Sequence, residues 1–284
     1  MSLRKILGSV LLIAIVFSVS CVTSTKQKKE FEWPRNSFVK YEGWIYKQTC
    51  TPKDPENLAS DCYGKQQGVT GSGSVIAKSF DGAYVLTAAH MCDRRKDIKL
   101  LESIEKKNVD ESGERKEKVK FFIKQYVVDL DDFKYNTKIV AYDSDIDACI
   151  TFTWGLFKDS IPISQDAPKI GSKVYNIAAP AGFFGKDMVP LFEGRYVGVY
   201  NKYSTIFTLP AIGGSSGSPI LNEDGELIGL VFARHVRFHH IVLSSRFNRL
   251  KRFIITSVEE HTRKRNQIHN LDPERSVIIK FNDK

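Results

Sequence analysis

Gly213-Gly214-Ser215-Ser216-Gly217-Ser218-Pro219 stands downstream of Thr87-Ala88-Ala89-His90. Glycines around a serine, closed by proline, suit neither a helix nor a strand. They suit a tight turn that presents a hydroxyl beside backbone N–H groups. A serine hydroxyl is a weak nucleophile near neutral pH and needs a base to take its proton as it attacks. Histidine, with an unperturbed pKa of about 6.5, suits that task. Its second ring nitrogen then needs a carboxylate acceptor, and the oxyanion of a tetrahedral intermediate needs donors fixed in advance. The parts present are those of acyl transfer.

Ser216 is the candidate nucleophile, because it alone of the three serines is followed by glycine. Gly214, two residues earlier, lets the backbone turn its own N–H and that of Ser216 toward one oxyanion. His90 is the candidate base, at the end of a strand where Ala88 and Ala89 permit close packing. The carboxylate should open a buried strand, and Asp143, Asp145 and Asp147 compete for that place. Asp147 fits best, since the apolar run Ala148-Cys149-Ile150 follows at once. The scheme calls for no cofactor, and no Cys/His spacing reads as a metal site. His235, His239 and His240 read as surface or strand histidines.

Many short elements must position these residues. Strand-like runs occur at Phe38–Tyr46, Val69–Ala77, Ala83–Thr87, Phe121–Val128, Lys138–Ala141 and Ala148–Phe152. After a crossover around Pro162 and Pro168–Gly171, further runs occur at Lys173–Ala178, Glu193–Tyr200, Ser204–Leu209, Glu226–Phe232 and His240–Leu243. Short strands punctuated by turn residues predict a barrel or sandwich. Residues 93–120 are densely charged and read as a solvated insertion, helix or loop. Ser244 or Ser245 is positioned to cap a closing helix with Phe247, Leu250, Phe253 and Ile254 on one face.

The chain has 284 residues, 42% hydrophobic and 26% charged, which predicts a folded globule with a substantial core. Arg4 and Lys5 precede an apolar run from Ile6 to Val19, the pattern of an export signal rather than a membrane span. Ser18-Val19-Ser20-Cys21 resembles a bacterial lipobox, which makes Cys21 a candidate for lipidation. Residues 1–20 then read as a signal of lipoprotein type, with ordinary cleavage or an uncleaved anchor as the alternatives, and 21–37 as a polar tether. Net charge is +9, and without Arg4 and Lys5 it is +7. No nucleic-acid motif accompanies that excess, so it predicts a basic surface and no specific nucleic-acid partner. Export places the four remaining cysteines in an oxidising compartment. Cys50 and Cys62 bracket a polar loop and are the first candidates for a disulfide. Cys149, inside an apolar run, reads as a buried thiol, and the sequence does not choose among the three pairings that four cysteines allow.

Thr87-Ala88-Ala89-His90, Asp147-Ala148-Cys149-Ile150 and Gly214-Ser215-Ser216-Gly217-Ser218-Pro219, in that order, resemble the three signatures of the trypsin-like (chymotrypsin-fold) serine proteases. The resemblance implies an all-β fold: two antiparallel Greek-key β-barrels with the active site between them, plus a C-terminal α-helix. It covers about residues 38–260, with barrel one about 38–155, barrel two about 170–243 and the helix about 245–258. A basic tail, 261–284, follows. It implies a triad of His90, Asp147 and Ser216, and an oxyanion hole from Gly214 and Ser216. The partner is a polypeptide substrate, lined by Leu209, Pro210, Ala211 and Ile212 on one side and Phe232, Ala233 and Arg234 on the other.

Ser218 stands where many members have glycine, as in glutamyl-endopeptidase-like relatives, yet the matching glutamate-recognising histidine is replaced by Val231. Pro210 occupies the position where trypsin-type specificity needs aspartate. A small or apolar residue before the scissile bond is the expectation, the alternative being that Arg234 narrows the pocket or favours an acidic group. No activation peptide and no appended PDZ domain are expected. The whole predicts an exported serine endopeptidase facing the periplasm or exterior and held to the membrane by its N-terminus. The alternative is a catalytically silent, protease-like binding lipoprotein.

Overall fold

The structure, a computed structural model, describes residues 33–50, 62–107, 118–186, 188–238, 240–269 and 277–281. The leader, Cys21 and the tether as far as Glu32 lie outside the described residues. Among those described, no helix is long and apolar enough to cross a membrane.

Strands Phe38–Cys50 (β1), Cys62–Ser79 (β2) and Gly82–Thr87 (β3) come first, then the short helices Ala89–Cys92 (α1) and Arg95–Lys107 (α2). Lys118–Val128 (β4), Lys134–Asp143 (β5) and Ala148–Trp154 (β6) follow. These six strands pair in the order β1-β4-β5-β6-β3-β2, and the β1–β2 pairing closes the first barrel. The second barrel contains Lys173–Ile177 (β7), Leu191–Val199 (β8), Ser204–Phe207 (β9), Pro219–Leu221 (β10), Leu227–Arg234 (β11) and Val242–Ser245 (β12). It closes in the order β10-β11-β12-β9-β8-β7. Every named strand pair is antiparallel, so the fold is the two-barrel, chymotrypsin-type architecture with a C-terminal helix.

The core explains why the two barrels act as one body. Phe38, Ile76, Ile150 and Phe152 from barrel one share a buried cluster with Ile220, Leu230 and Val242 from barrel two. A second cluster fills barrel one with Val39, Tyr41, Val75, Val85, Val127 and Leu156, and runs under Ala88, Ala89 and Met91. The chemistry-bearing segment 87–92 therefore sits on packed side chains and cannot drift without opening a cavity.

Three expectations change. The closing helix is Phe247–His269 (α3), well beyond residue 258. Phe247, Leu250, Ile254 and Val258 form its buried stripe, whereas Phe253 is only partly buried. It continues because its last turns have partners: Tyr84 Oη lies 3.0 Å from His261 Nδ1, and Arg265 donates to Asp81 at 2.9 Å. Within the expected tail, residues 261–269 thus belong to the helix, and Ile278–Ile279 (β13) pairs with β2. Neither Ser244 nor Ser245 caps the helix. Both lie in β12, and the first helical bonds run to Arg246 O. Finally, Cys149 is no free thiol. It is joined to Cys92, 57 residues away, while Cys50 and Cys62 are joined as expected across the β1–β2 pair. An apolar run such as 148–152 gives no sign that its cysteine faces another element; the α1–β6 contact decides that.

Candidate active site

Thr87 ends β3, and α1 starts two residues later, so His90 stands at a strand-to-helix corner on the barrel-one side. Asp147 precedes β6, which pairs with β3 in the register Thr87↔Cys149. That register brings the two segments side by side. Asp147 adopts φ +47, a left-handed conformation that aspartate tolerates better than most residues. The turn aims both its carbonyl and its carboxylate at α1. Ala89 N donates to Asp147 O at 3.1 Å, and His90 N donates to Oδ1 at 2.9 Å. His90 Nδ1 lies 2.8 Å from Oδ2. An ionised carboxylate only accepts, so Nδ1 carries the proton and Nε2 is left as the basic nitrogen.

Asp143 and Asp145 take no part. Asp143 Oδ1 accepts from Asp145 N at 2.8 Å and holds the turn before Asp147, and Asp145 is exposed. The Cys92–Cys149 disulfide lies two residues beyond each member of the His90–Asp147 pair, and both cysteines are fully buried.

Ser216 comes from barrel two, in the turn before β10. Two glycines with positive φ shape that turn: Gly214 at +95° and Gly217 at +86°. A Cβ on Gly217 would sit 2.1 Å from Ser72 O and 3.0 Å from Ala88 N, so the turn is pressed against the segment that carries His90. A Cβ on Gly214 would sit 2.3 Å from Ala179 O. Gly213 O accepts from Ala181 N at 2.6 Å. In a trans peptide the C=O and N–H point oppositely, so the Gly214 N–H faces away from Ala181. Ser215 O likewise accepts from Ser218 N at 3.1 Å, which turns the Ser216 N–H the other way. Neither N–H has a partner among the described residues, and both are left as donors. Ser216 is half-buried, and among the described residues no hydrogen bond joins its Oγ to His90.

Sequence reasoning passed over Ser72, in the Gly71-Ser72-Gly73 stretch of β2. Its N donates to Ser216 O at 2.7 Å, its Oγ donates to Gly214 O at 2.8 Å, and the same Oγ accepts from Ala179 N at 2.9 Å. One barrel-one serine therefore ties the barrel-two turn from both ends. Small residues on each side were the only signal that a backbone approaches there. Ser218 also gains a structural explanation: its Oγ accepts from buried Asn176 at 2.8 Å.

The expected substrate-lining residues divide. Leu209 and Ala211 are buried, and Leu209 belongs to the core. Pro210, Phe232 and Ala233 are partly exposed, and Ile212 and Arg234 are exposed.

A two-barrel fold that carries a histidine–aspartate pair, with a glycine-bounded serine turn packed against the histidine's own segment, defines a class of hydrolase scaffold. The model for the trypsin-like peptidase domain matches residues 71–230, more than half of the chain, and the chain belongs to that family. Membership supports a serine protease. Among solved structures, the serine endoprotease from Yersinia pestis is similar at 16% identity and TM-score 0.50, over 75% of this chain and 62% of that one. The active form of the Rv3671c protease from M. tuberculosis is similar at 17% identity and TM-score 0.49, over 75% of this chain and 77% of that one. At 16% identity the likeness to the Yersinia structure is one of fold alone. No curated protein matches the sequence at a significant level.

Proposed function

We propose that this protein is a serine endopeptidase using His90, Asp147 and Ser216, exported and tethered at its N-terminus. The observation that carries the reading is the 2.8 Å His90–Asp147 contact beside a serine turn with two uncommitted N–H groups. His90 Nε2 takes the Ser216 proton as Oγ bonds to the scissile carbonyl carbon. The N–H groups of Gly214 and Ser216 receive the oxyanion. His90 then returns the proton to the departing amine as the C–N bond breaks, leaving an acyl-enzyme. Water, activated by the same nitrogen, hydrolyses the ester and regenerates Ser216. Asp147 holds the ring tautomer and stabilises the imidazolium.

Phe232–Arg234 has β12 on one edge, while β10 stops at the partner of Leu230, so the other edge is open to an extended substrate. Partly exposed Phe232 and exposed Ile212 favour a small or apolar side chain before the scissile bond. Export accords with two disulfides in one chain. Cys21 is the proposed lipid-bearing residue, on the strength of its lipobox-like context alone. The test is labelling by a fluorophosphonate probe together with casein cleavage. The expected result is that Ser216→Ala loses both, with proteolysis down by about a thousandfold or more. Labelling that survives in that variant overturns the assignment, and a wild-type protein that neither labels nor cleaves points to the silent binding lipoprotein.

A further inference from the structure

Beyond the end of β11, the chain folds over the outside of barrel two and leaves an open cleft of about 620 Å³. Its floor is apolar. Ile206 and Leu243 are paired across β9 and β12, and their neighbours Phe207 and Val242 point into the barrel, buried at 1% and 0%. Side chains alternate along a strand, so Ile206 and Leu243 face outward, where Ile241 and Tyr200 join them. The rim is cationic. Arg234, His235 and Arg237 line the cleft and are exposed, and neither arginine forms an ion pair among the described residues. Val236 and Phe238, between and beside them, are 82% and 57% exposed. Apolar floor and unpaired positive rim are a combination that folding does not require.

The position of the cleft says what enters it. Gly217 N donates to Val231 O at 2.7 Å, and Val231 N donates to Ser218 O at 2.9 Å, so β11 passes directly beside the Ser216 turn. From Val231 to Arg234 the strand advances three residues, or about 10 Å. A substrate bound on the open edge of Phe232–Arg234 runs away from Ser216 toward its own N-terminus and arrives at this cleft four to five residues before the scissile bond.

We propose that the cleft is a specificity site for substrate polypeptides carrying an acidic segment with an apolar residue at that distance upstream of the cut. The inference rests on the endopeptidase reading. Carboxylates meet Arg234 and Arg237, and the apolar side chain rests on Ile206 and Leu243. An anionic membrane surface could attract the same patch, but only the substrate accounts for its continuity with the open edge of β11.

Two measurements on the full chain test this. Fluorescent peptides with Glu-Leu-Glu, Gln-Leu-Gln or Lys-Leu-Lys upstream of one common sequence are titrated onto the Ser216→Ala protein, which removes any need for catalysis. The acidic peptide should bind roughly three- to tenfold more tightly than the neutral one, as two exposed charge contacts allow, and the lysine peptide most weakly. The order should reverse in a variant also carrying Arg234→Glu and Arg237→Glu. The same order should appear in wild-type kcat/KM, mainly through KM, and fade with added salt. Equal binding of the three peptides overturns the inference whatever the activity. Absent fluorophosphonate labelling of the wild type overturns the endopeptidase reading instead. Arginine-dependent binding to phosphatidylglycerol vesicles without peptide preference overturns the inference in favour of a membrane contact.

Discussion

Barrel one holds His90 and Asp147 through side chains, whereas barrel two holds Ser216 through its backbone. On the first side a carboxylate accepts from both the ring and the main chain of His90, and a buried disulfide repeats the connection two residues farther along each segment. On the second side the turn is shaped by two left-handed glycines and fixed by Ala181 N, Ser72 and Val231 bonding to main-chain atoms. Under the proposed endopeptidase reading the difference has a chemical reason. A base needs a particular ring nitrogen presented in a particular tautomer, which only a side-chain acceptor can select. An oxyanion needs donors that do not move, and backbone N–H groups in a locked turn meet that need. The two halves should therefore fail under different substitutions.

The largest effect is expected from the turn. Gly217→Ala places a methyl 2.1 Å from Ser72 O at φ +86, and the turn must shift. A displacement of even 1 Å costs on the order of a hundredfold in rate, so kcat should fall by at least that much. Gly213→Ala, whose Cβ meets nothing within 4 Å, should retain activity. Equal loss in both would show that crowding is not the cause.

The disulfides come next. Cys92–Cys149 closes a loop of 57 residues and Cys50–Cys62 one of 12. Chain entropy gives about 4 kcal/mol for the longer loop and about 3 kcal/mol for the shorter. Urea unfolding of the two paired alanine variants should show that order. Only the Cys92→Ala/Cys149→Ala pair should lower kcat as well, roughly tenfold, because only that bridge lies beside the histidine–aspartate contact. A comparable loss of kcat in the Cys50→Ala/Cys62→Ala pair would erase the distinction.

The smallest effect lies far from the site. Burial, with Arg265 and Lys264 adding to it, lowers the pKa of His261. The folded state then resists protonation that the unfolded state accepts below its ordinary value of about 6.5. Stability from this group is complete above that pH and declines as the pH falls toward the lowered folded value. His261→Asn should flatten the pH dependence of Tm below about pH 6.5, with kcat at pH 8 unchanged. An unchanged slope would assign the acid sensitivity to other groups.

Much of this arrangement was legible in residue types. Glycine spacing around Ser216 marked a turn, because only glycine accepts φ near +90° without strain, and Gly214 and Gly217 do adopt it. Asp147 could be preferred over Asp143 and Asp145 because an apolar run begins right after it. Ser72 was not legible, since its importance depends on a turn more than a hundred residues later reaching its hydroxyl. The length of α3 was also hidden: its final turns are polar, and their partners Tyr84, Ser79 and Asp81 lie on the first barrel.

The sequence by itself determined the alternation of short strands, the glycine-bounded serine, the histidine after two alanines and the order of the three. Those are local matters of backbone freedom and side-chain chemistry. Tertiary structure decided which aspartate meets His90, which cysteines pair, how Ser72 joins the barrels, and that Arg234 and Arg237 rim an apolar cleft. Each of these depends on strand register and barrel closure, which bring residues distant in the chain within bonding distance, and no local pattern encodes that distance.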